Sequence, residues 1–335
     1  MRQVATPEYG GPEVLELGET DRPSPRGTQV LVAVEAVGVC GHDIADRAGL
    51  TKISLPHVLG HEVAGRVVEI GESVTHVEPG DRVACKQHHT CGWCGPCRTG
   101  RELDCTGKTF VYGGYAEFIL LEQDALAQVP DNIPAQAAAI AACAVGSCVQ
   151  ALRGAAHLRS GETVLVTGAG GGLGIHALQV AASMGAHVIA LTSSASKSDA
   201  LRAHGAHDVV ITTENPNTHI ADLTHGRGVD VVLDNVGLPA VFDTGFKGLA
   251  QRGRYVLTGQ LERQKISVYP AFVFFKEAVI TGSASTSTDS FLRSLELLDS
   301  GQVRAVTTDY TLDDVVGAHR AVEKSSVVGR AVLVP

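Results

Sequence analysis

The sequence has little basic charge, few aromatic residues and no long apolar run. Its 27 lysines and arginines are outnumbered by 36 acidic residues, which gives a formal net charge of -9. Such a chain has no basic field to attract phosphate backbones, so we expect no nucleic-acid partner. No run approaches the ~20 apolar residues of a membrane span, and the N-terminal residues lack the apolar stretch of a signal peptide. We therefore expect a cytoplasmic protein with no membrane partner.

The chain is long enough for two domains, because single cores stop growing at about 250–300 residues. Over the first 140 residues, short apolar β-branched runs are broken by glycine and proline, which predicts a β-rich domain with strands at 30–37, 62–70, 82–85 and 116–121. From residue 163 onward, apolar strands alternate with helical patterns, which is typical of βαβ units. The fold class predicted is therefore α/β, with a doubly wound parallel sheet of the Rossmann type beside a β-rich domain.

The Rossmann part is predicted in some detail. Its six strands are expected at 163–167, 187–192, 208–211, 229–234, 254–257 and 278–281. Helices are expected at 172–184, 197–204 and 240–248. A helical pattern at 290–298 and a strand at 331–334 exceed what a six-stranded sheet needs, so we expect them to return to the first domain. The segment 145–152 is the predicted hinge.

Four of the eight cysteines lie within fifteen residues of one another. They are spaced C-x2-C-x2-C-x7-C and interleaved with glycines: Cys91, Cys94, Cys97 and Cys105. Thiols clustered at such close spacing fit a tetrahedral zinc site in which every position is filled by protein. A site of this kind cannot bind substrate, so the lobe 91–105 is predicted to hold a structural zinc. Free or redox-active thiols are the alternative.

A second set of potential ligands is spread along the chain. Cys40 lies in Gly-Val-Cys-Gly-His-Asp, His61 in Gly-His-Glu, and Cys143 follows two alanines. Two thiolates and an imidazole leave one coordination position open, as catalytic zinc requires. Each residue taken alone has a simpler role, since buried cysteine often only packs. Cys148 competes with Cys143 for the last thiolate position.

A glycine-rich loop follows directly on the first strand of the Rossmann pattern and opens its helix. The N–H groups of such a loop and the helix dipole bind pyrophosphate. The residues assigned to this loop are Gly168, Gly170, Gly171, Gly172, Leu173 and Gly174. A zinc-dependent enzyme with this loop is expected to pass hydride to or from a nicotinamide dinucleotide.

The end of the second Rossmann strand predicts which dinucleotide is bound. An NAD site usually has Asp or Glu there, whereas this chain has Thr192, Ser193 and Ser194. Lys197 and Arg202 follow, and their charge suits the 2′-phosphate of NADP. We therefore predict NADP(H) in preference to NAD(H). The alternative is that both basic side chains only decorate a solvated helix.

In their order along the chain, these residues resemble those of the zinc-containing medium-chain alcohol dehydrogenases. The likeness spans nearly the whole chain and implies catalytic zinc at Cys40, His61 and Cys143, since Ala-Ala before Cys143 matches the family's last thiolate. Glu62 would lie near the metal or bind it during exchange, and Asp43 would accept from the ring N–H of His61. Two zinc ions per chain are therefore expected.

The resemblance also implies a domain arrangement. Residues 1–147 and 285–335 would form a discontinuous GroES-like catalytic domain, and 148–284 the dinucleotide-binding domain. Arg330, near the C-terminus, would approach the cofactor. A homodimer or homotetramer would form through the edge strand of the nucleotide domain, near residues 279–282. Cys85 and Cys148 would be core thiols.

One departure from the family concerns proton transfer. Where the family usually has Ser or Thr two residues after the first thiolate, and histidine three residues later, this chain has His42 and Ala45. We hypothesise that His42 relays the proton of the substrate. An unchanged pH–rate profile in a His42→Asn variant would contradict this role, and the alternative is that His42 only lines the site.

The function predicted is zinc-dependent hydride transfer between NADP(H) and an alcohol or its aldehyde or ketone. The substrate is thus a small molecule, and its oxygen would bind the zinc. One alternative is NADPH-dependent reduction of an enoyl or enone C=C bond, which needs no alcohol proton relay. A second alternative is a catalytically silent zinc-bearing binding module.

Overall fold

The computed structural model describes every residue from Met1 to Pro335. The chain separates into two units. The first comprises Met1–Gly146, Ser285–Gly301 and Ala305–Pro335, and the second comprises Ser147–Ala284 and Gln302–Arg304. No helix has both the length and the apolar character needed to cross a membrane.

The first unit is built on a seven-stranded sheet, mostly antiparallel. Its strands lie in the order Thr307–Thr311, Arg330–Val334, Gln29–Val39, Glu62–Ile70, Arg82–Cys85 and Leu126–Gln128, with Phe118–Glu122 also paired to Gln29–Val39. Strand Gln29–Val39 is long, rich in valine and buried along most of its length, as suits a strand with neighbours on both edges. The predicted return of the C-terminal strand to this domain is confirmed.

Shorter elements complete this unit. Two small hairpins pair Arg2–Ala5 with Glu16–Glu19 and His88–His89 with Thr109–Phe110. The α-helices are Gly41–Arg47, Gly95–Arg98, Ala135–Ala139, Thr288–Asp299 and Val315–Glu323. A π-helical segment, Ala141–Gly146, comes shortly after helix Ala135–Ala139. The sequence analysis did not predict helix Val315–Glu323, although its apolar residues Val315 and Ala318 are buried.

The second unit contains a six-stranded parallel sheet. Its order is Asp208–Ile211, His187–Thr192, Thr163–Val166, Val229–Asp234, Leu249–Leu257 and Val279–Gly282. Numbered along the chain this is 3-2-1-4-5-6, the order of a doubly wound dinucleotide-binding sheet. The predicted fold class is confirmed, and three of the six strands have the bounds predicted.

The helices of the second unit are Gly174–Ser183, Ser198–Ala203, Pro216–Leu223, Pro239–Gly248 and Pro270–Lys276. Helices Pro216–Leu223 and Pro270–Lys276 were missed by the sequence analysis. Each begins with proline at its first position, which is a recognised start signal, but neither is long enough to show a clear apolar stripe. The hinge predicted at 145–152 is helical in the structure. It includes a short α-helix, Ser147–Val149, and the start of a π-helical segment, Gln150–Ala155.

Candidate metal centre and dinucleotide site

Cys40 and Asp43 are positioned by one helix start. Strand Gln29–Val39 ends at Cys40, which caps helix Gly41–Arg47. The N–H of Cys40 donates to Asp43 Oδ2 at 2.8 Å, so the two residues form a capping box. A thiol at the metal centre and a buried carboxylate are therefore fixed by local structure.

His61 is placed next to this carboxylate by a glycine turn. Gly60 has φ +93°, and a Cβ there would lie 2.5 Å from the Tyr115 ring, so only glycine fits. The N–H of Gly60 and the Nδ1 of His61 both lie 3.2 Å from Asp43 Oδ1. Donation of the Nδ1 proton to Asp43 leaves His61 Nε2 available to a metal.

Cys143 reaches the same point from the π-helical segment Ala141–Gly146. Its sulfur lies 3.9 Å from the sulfur of Cys40. Two sulfurs bound to one tetrahedral zinc at 2.3 Å would be about 3.8 Å apart. Cys148, the competing candidate, lies in the second unit, where its sulfur contacts the carbonyl of Leu173 at 3.4 Å.

Two polar side chains hold the segment that carries Cys143. Thr286 Oγ1 donates to the carbonyl of Ala142 and Ser294 Oγ to that of Ala141, each at 2.7 Å. A π-helical turn leaves carbonyls without their usual i+4 partners, so these hydroxyls stabilise it. The sequence analysis missed both residues, because serine and threonine at these positions carry no signal by themselves.

Glu62 is buried beside the ligands. A Cβ on Gly38, its neighbour across the sheet, would lie 2.1 Å from Glu62 Oε2, so glycine makes room for the carboxylate. Arg330 Nη2 stands 3.2 Å from Glu62 Oε1. Burial raises the pKa of Glu62 to about 7, against the opposing charge of Arg330. Neither Glu62 oxygen has a hydrogen-bond partner of good geometry.

Together these donors form a site for one cation. The ligand atoms of Cys40, His61, Glu62 and Cys143 all lie within 4.8 Å of one another, and all four residues are buried. A hydrogen bond with Cys143, helped by the charges of Arg330 and His61, lowers the pKa of Cys40 well below its ordinary value. Thiolate and imidazole donors suit zinc, and Glu62, which is buried beside them and ion-paired with Arg330, has no well-aligned hydrogen bond at either oxygen. The residues present therefore fit a zinc ion.

His42 lies at the edge of this site. Its side chain is 42% exposed, and its Nε2 is 3.4 Å from Asp46 Oδ2. The ring stacks on Phe110 with centroids 4.8 Å apart. Asp46 also accepts from Tyr112 Oη at 3.0 Å. Phe110 and Tyr112 were not predicted, because they lie far from His42 along the chain, and Asp46, one helical turn from His42, carries no signal by itself.

The four clustered cysteines meet in the first unit. Their sulfurs lie within 4.8 Å of one another, with 3.4 Å between Cys94 and Cys97 and 3.6 Å between Cys105 and Cys91. Such distances match four thiolates around one zinc. No other His, Asp or Glu joins the group, so the set is closed.

The glycine loop follows strand Thr163–Val166 in the second unit. Helix Gly174–Ser183 starts at Gly174, where a Cβ would lie 2.2 Å from the carbonyl of Gly168, so glycine allows the turn to close. Asp234, fully buried, accepts from Thr167 Oγ1 at 2.7 Å and from Tyr255 Oη at 2.8 Å. This anchor beneath the loop was missed by the sequence analysis.

Lys197 packs against the same loop. A Cβ on Gly170 would lie 2.6 Å from Lys197 Cδ and 3.4 Å from its Nζ, and burial lowers the pKa of the ammonium. Thr192 is buried at the end of its strand and accepts from the N–H of Ser194 at 3.2 Å, while Ser193 is exposed. The positive group therefore lies next to the glycines.

The predicted contribution of Arg202 is wrong. Its Nη1 donates to the carbonyl of His207 at 2.9 Å. His207 in turn donates its N–H to the carbonyl of Val188, near the start of the strand that ends at Thr192. Since parallel strands share their carboxyl edge, Arg202 lies toward the opposite edge from the predicted ribose position.

Comparison with known proteins gives a consistent assignment. Residues 26–131 match the model of the alcohol dehydrogenase GroES-like domain, and residues 172–300 match that of the zinc-binding dehydrogenase. An acryloyl-coenzyme A reductase from Metallosphaera sedula is 31% identical over 97% of both chains. The chain belongs to the zinc-containing medium-chain dehydrogenase/reductase family. It is thus an oxidoreductase with a GroES-like and a Rossmann-type part.

Other members of this dehydrogenase/reductase family differ in their named reactions. An NAD-dependent alcohol dehydrogenase from Saccharolobus solfataricus is 32% identical and covers all of both chains. The solved structure of AibC is 37% identical, with a TM-score of 0.92, and covers 100% of this chain and 96% of that one. The family relationship therefore includes both alcohol and enoyl-thioester chemistry among similar proteins.

Proposed function

We propose that this enzyme transfers hydride between NADP(H) and an alcohol or its aldehyde or ketone. The observation that carries the proposal is the buried donor set of Cys40, His61 and Cys143, which leaves one zinc position open. Zinc bound there supplies Lewis acidity toward the substrate oxygen. A second zinc, at the four clustered cysteines, would be structural.

The side chains of the first unit support this chemistry in three ways. Asp43 fixes the ring orientation of His61 by accepting its Nδ1 proton. Arg330 counters the charge of Glu62 and so opposes the rise in the pKa of Glu62 that burial causes. His42 presents a half-exposed ring next to the ligands, and its part in proton transfer stays a prediction.

Reduction of an enoyl thioester is the second candidate. The Metallosphaera sedula relative is named an acryloyl-coenzyme A reductase. His42 and Ala45 stand where the alcohol dehydrogenases usually have a hydroxyl and a histidine, so the usual alcohol proton relay is missing. Hydride added to a C=C bond needs a proton at carbon, not at an alcohol oxygen.

A paired assay tests the two candidates. The zinc-loaded protein is given NADPH or NADH with a panel of aldehydes and ketones, and separately with acryloyl-CoA and simple enones, and the products are identified by mass spectrometry. The first proposal expects alcohols as products and two zinc ions per chain. Saturated thioesters without any alcohol would instead establish the second candidate. No turnover on either panel would contradict both.

Cofactor choice rests on the residues around the glycine loop. The strand that ends at Thr192 is followed by hydroxyl side chains and no carboxylate, and Lys197 packs on Gly170. Carboxylates repel a 2′-phosphate, whereas lysine attracts it. NADP(H) is therefore the preferred cofactor, although the Saccharolobus solfataricus relative is named NAD-dependent. Contact of Arg330 with the cofactor also stays a prediction.

A Lys197→Glu variant should lose its preference for NADPH. A charge-assisted hydrogen bond is worth roughly 1.5–3 kcal/mol, so the KM for NADPH should rise about 10- to 100-fold. The KM for NADH should change little. The matched control is Arg202→Glu, which makes the same charge change on a side chain that points to His207. Equal changes in both KM values for Lys197→Glu would contradict the assignment.

The two units take the two roles in this proposal. Residues 1–147 and 285–335 act as the zinc-binding catalytic domain, and 148–284 bind the dinucleotide.

Helix Pro270–Lys276 and strand Val279–Gly282 expose Phe272, Phe275 and Val279 by 57%, 72% and 52%, and the strand is at the sheet edge. A second copy of the chain covers this apolar edge in a homodimer or homotetramer. A molar mass equal to that of one chain, measured by light scattering, would contradict this assembly.

A further inference from the structure

A chain of buried polar side chains extends from Asp43 through the first unit. Asp43, Arg47, Tyr115 and His319 are each at most 1% exposed. His319 Nε2 lies 3.1 Å from Tyr115 Oη, and its Nδ1 lies 3.5 Å from Arg47 Nη1. Arg47 also pairs with Glu323, whose side chain is 34% exposed. Burying such groups costs several kcal/mol unless they are paired, so packing alone does not account for them.

Two helices and one loop supply these groups. Asp43 and Arg47 are one turn apart on the helix that begins after Cys40, so they share a face. His319 and Glu323 are likewise one turn apart on the last helix of the chain. Tyr115 lies between them, with its N–H bonded to the carbonyl of Leu59 and its ring against Gly60. The segment that carries His61 therefore rests directly on Tyr115.

The hydrogen bonds among these buried side chains run in one direction, from Arg47 to His319 and on to Tyr115. Arginine has only donors, so Arg47 donates to Nδ1 of His319. A neutral imidazole then carries its proton on Nε2 and donates it to the Tyr115 oxygen. Burial lowers the pKa of His319 to about 4, which keeps it neutral. Burial, together with the charge of Asp43, raises the pKa of Tyr115 well above its ordinary value, so the hydroxyl keeps its proton.

Asp43 is held by three hydrogen bonds from the segments around it. Its oxygens accept from the N–H of Cys40 at 2.8 Å, the N–H of Gly60 at 3.2 Å and Nδ1 of His61 at 3.2 Å. Gly60, which supplies one of these bonds, packs against the Tyr115 ring, and the N–H of Tyr115 donates to the carbonyl of Leu59. We propose that Tyr115 and His319 are positioning residues of the metal site, which hold the Leu59–Gly60 turn against Asp43 and so fix the orientation and tautomer of His61. This rests on the proposed role of His61 as a zinc ligand.

Zinc release from the full-length protein tests the proposal. Tyr115→Phe and His319→Leu nearly keep the side-chain volume and remove links of the hydrogen-bonded chain. Mutation of residues that orient a metal ligand typically lowers metal affinity 10- to 100-fold. Each variant should therefore lose the zinc at His61 to a chelator about 10-fold faster. Release from the four-cysteine site should keep its rate and serves as the internal control. The Cys143→Ser variant, which lacks one phase, assigns the two phases.

Cobalt substitution gives a second readout. The ligand-field bands of Co²⁺ at the His61 site should shift in Tyr115→Phe and His319→Leu, while those of the four-thiolate site stay unchanged. Tyr310→Phe is the matched control, because Tyr310 packs against the same core but lies outside the chain of hydrogen bonds. The double variant should release zinc no more than about twofold faster than the worse single variant, because linked residues are not additive.

Two results would overturn the proposal. Unchanged release and unchanged cobalt bands in both variants would show that Tyr115 and His319 only fill space. Equal acceleration of both phases would show a general loss of stability. Failure of the proposed zinc site at His61 looks different, because the wild-type protein would then release a single zinc, from the cysteine lobe.

Discussion

Replacement of Cys143 with serine should abolish hydride transfer and reduce the zinc content from two ions to one per chain. The Cys143 sulfur lies 3.9 Å from that of Cys40, and a serine oxygen neither reaches the metal at the same distance nor ionises as readily. A catalytic metal contributes several kcal/mol to transition-state stabilisation, and each 1.36 kcal/mol is tenfold in rate. We therefore expect kcat/KM to fall by at least about 10³-fold. Steady-state kinetics and elemental analysis measure both quantities.

Cys148→Ala is the matched control for this experiment. Cys148 is also buried and lies five positions along the chain, but it belongs to the second unit, so its loss should leave two zinc ions per chain. Near-UV circular dichroism shows whether either variant is misfolded. A Cys143→Ser protein with two zinc ions, or with activity within about tenfold of wild type, would remove Cys143 from the catalytic site.

The candidate metal ligands could be singled out from the sequence because their signals are local and ordered. Cys40, the Gly-His-Glu that contains His61, and the four clustered cysteines each occur in a recognisable short pattern. The glycine loop was predictable for the same reason, since a strand, a run of glycines and a helix follow one another directly. Each of these features is set by a few neighbouring residues, so no long-range contact had to be known.

The surroundings of the ligands were not predictable in this way. Tyr115 and His319 are 204 positions apart, and His319 lies on a helix that the sequence analysis missed. A buried histidine and tyrosine have many possible partners, and only tertiary packing selects one. The same reason explains why Thr286 was missed. Arg202 failed for a related reason, because the sequence showed its charge but not the direction of its side chain.

Replacement of Cys105 with serine should release the second zinc and unfold the lobe 91–105. Cys105 is the only buried residue between positions 91 and 105, so the lobe has no apolar core to hold it without metal. Structural zinc contributes roughly 10–16 kcal/mol in small zinc-binding peptides. Loss of even ~3 kcal/mol raises the open population about 100-fold, so trypsin should cleave after Arg98 or Arg101 at least that much faster.

Trp93 offers a direct readout of the same event. It is the single tryptophan of the chain, lies within the lobe and is 71% exposed. Its fluorescence anisotropy should therefore fall in Cys105→Ser, because the freed segment moves faster. Asp104→Ser is the matched control, since it introduces the same residue at the adjacent, exposed position. Wild-type rates of cleavage in Cys105→Ser would contradict a zinc-held lobe.

Loss of zinc from the lobe and loss of zinc from the Cys40–His61–Cys143 site should have different effects on enzyme activity. Four thiolates fill every position around the lobe zinc, so no substrate atom has access to it. Cys105→Ser should therefore keep the zinc at Cys40, His61 and Cys143 and retain turnover at low temperature, but lose activity on warming at a lower temperature than wild type. Elemental analysis of the cold, active protein should find one zinc per chain. If turnover instead vanished in the cold with that zinc still bound, the lobe would take part in the reaction itself.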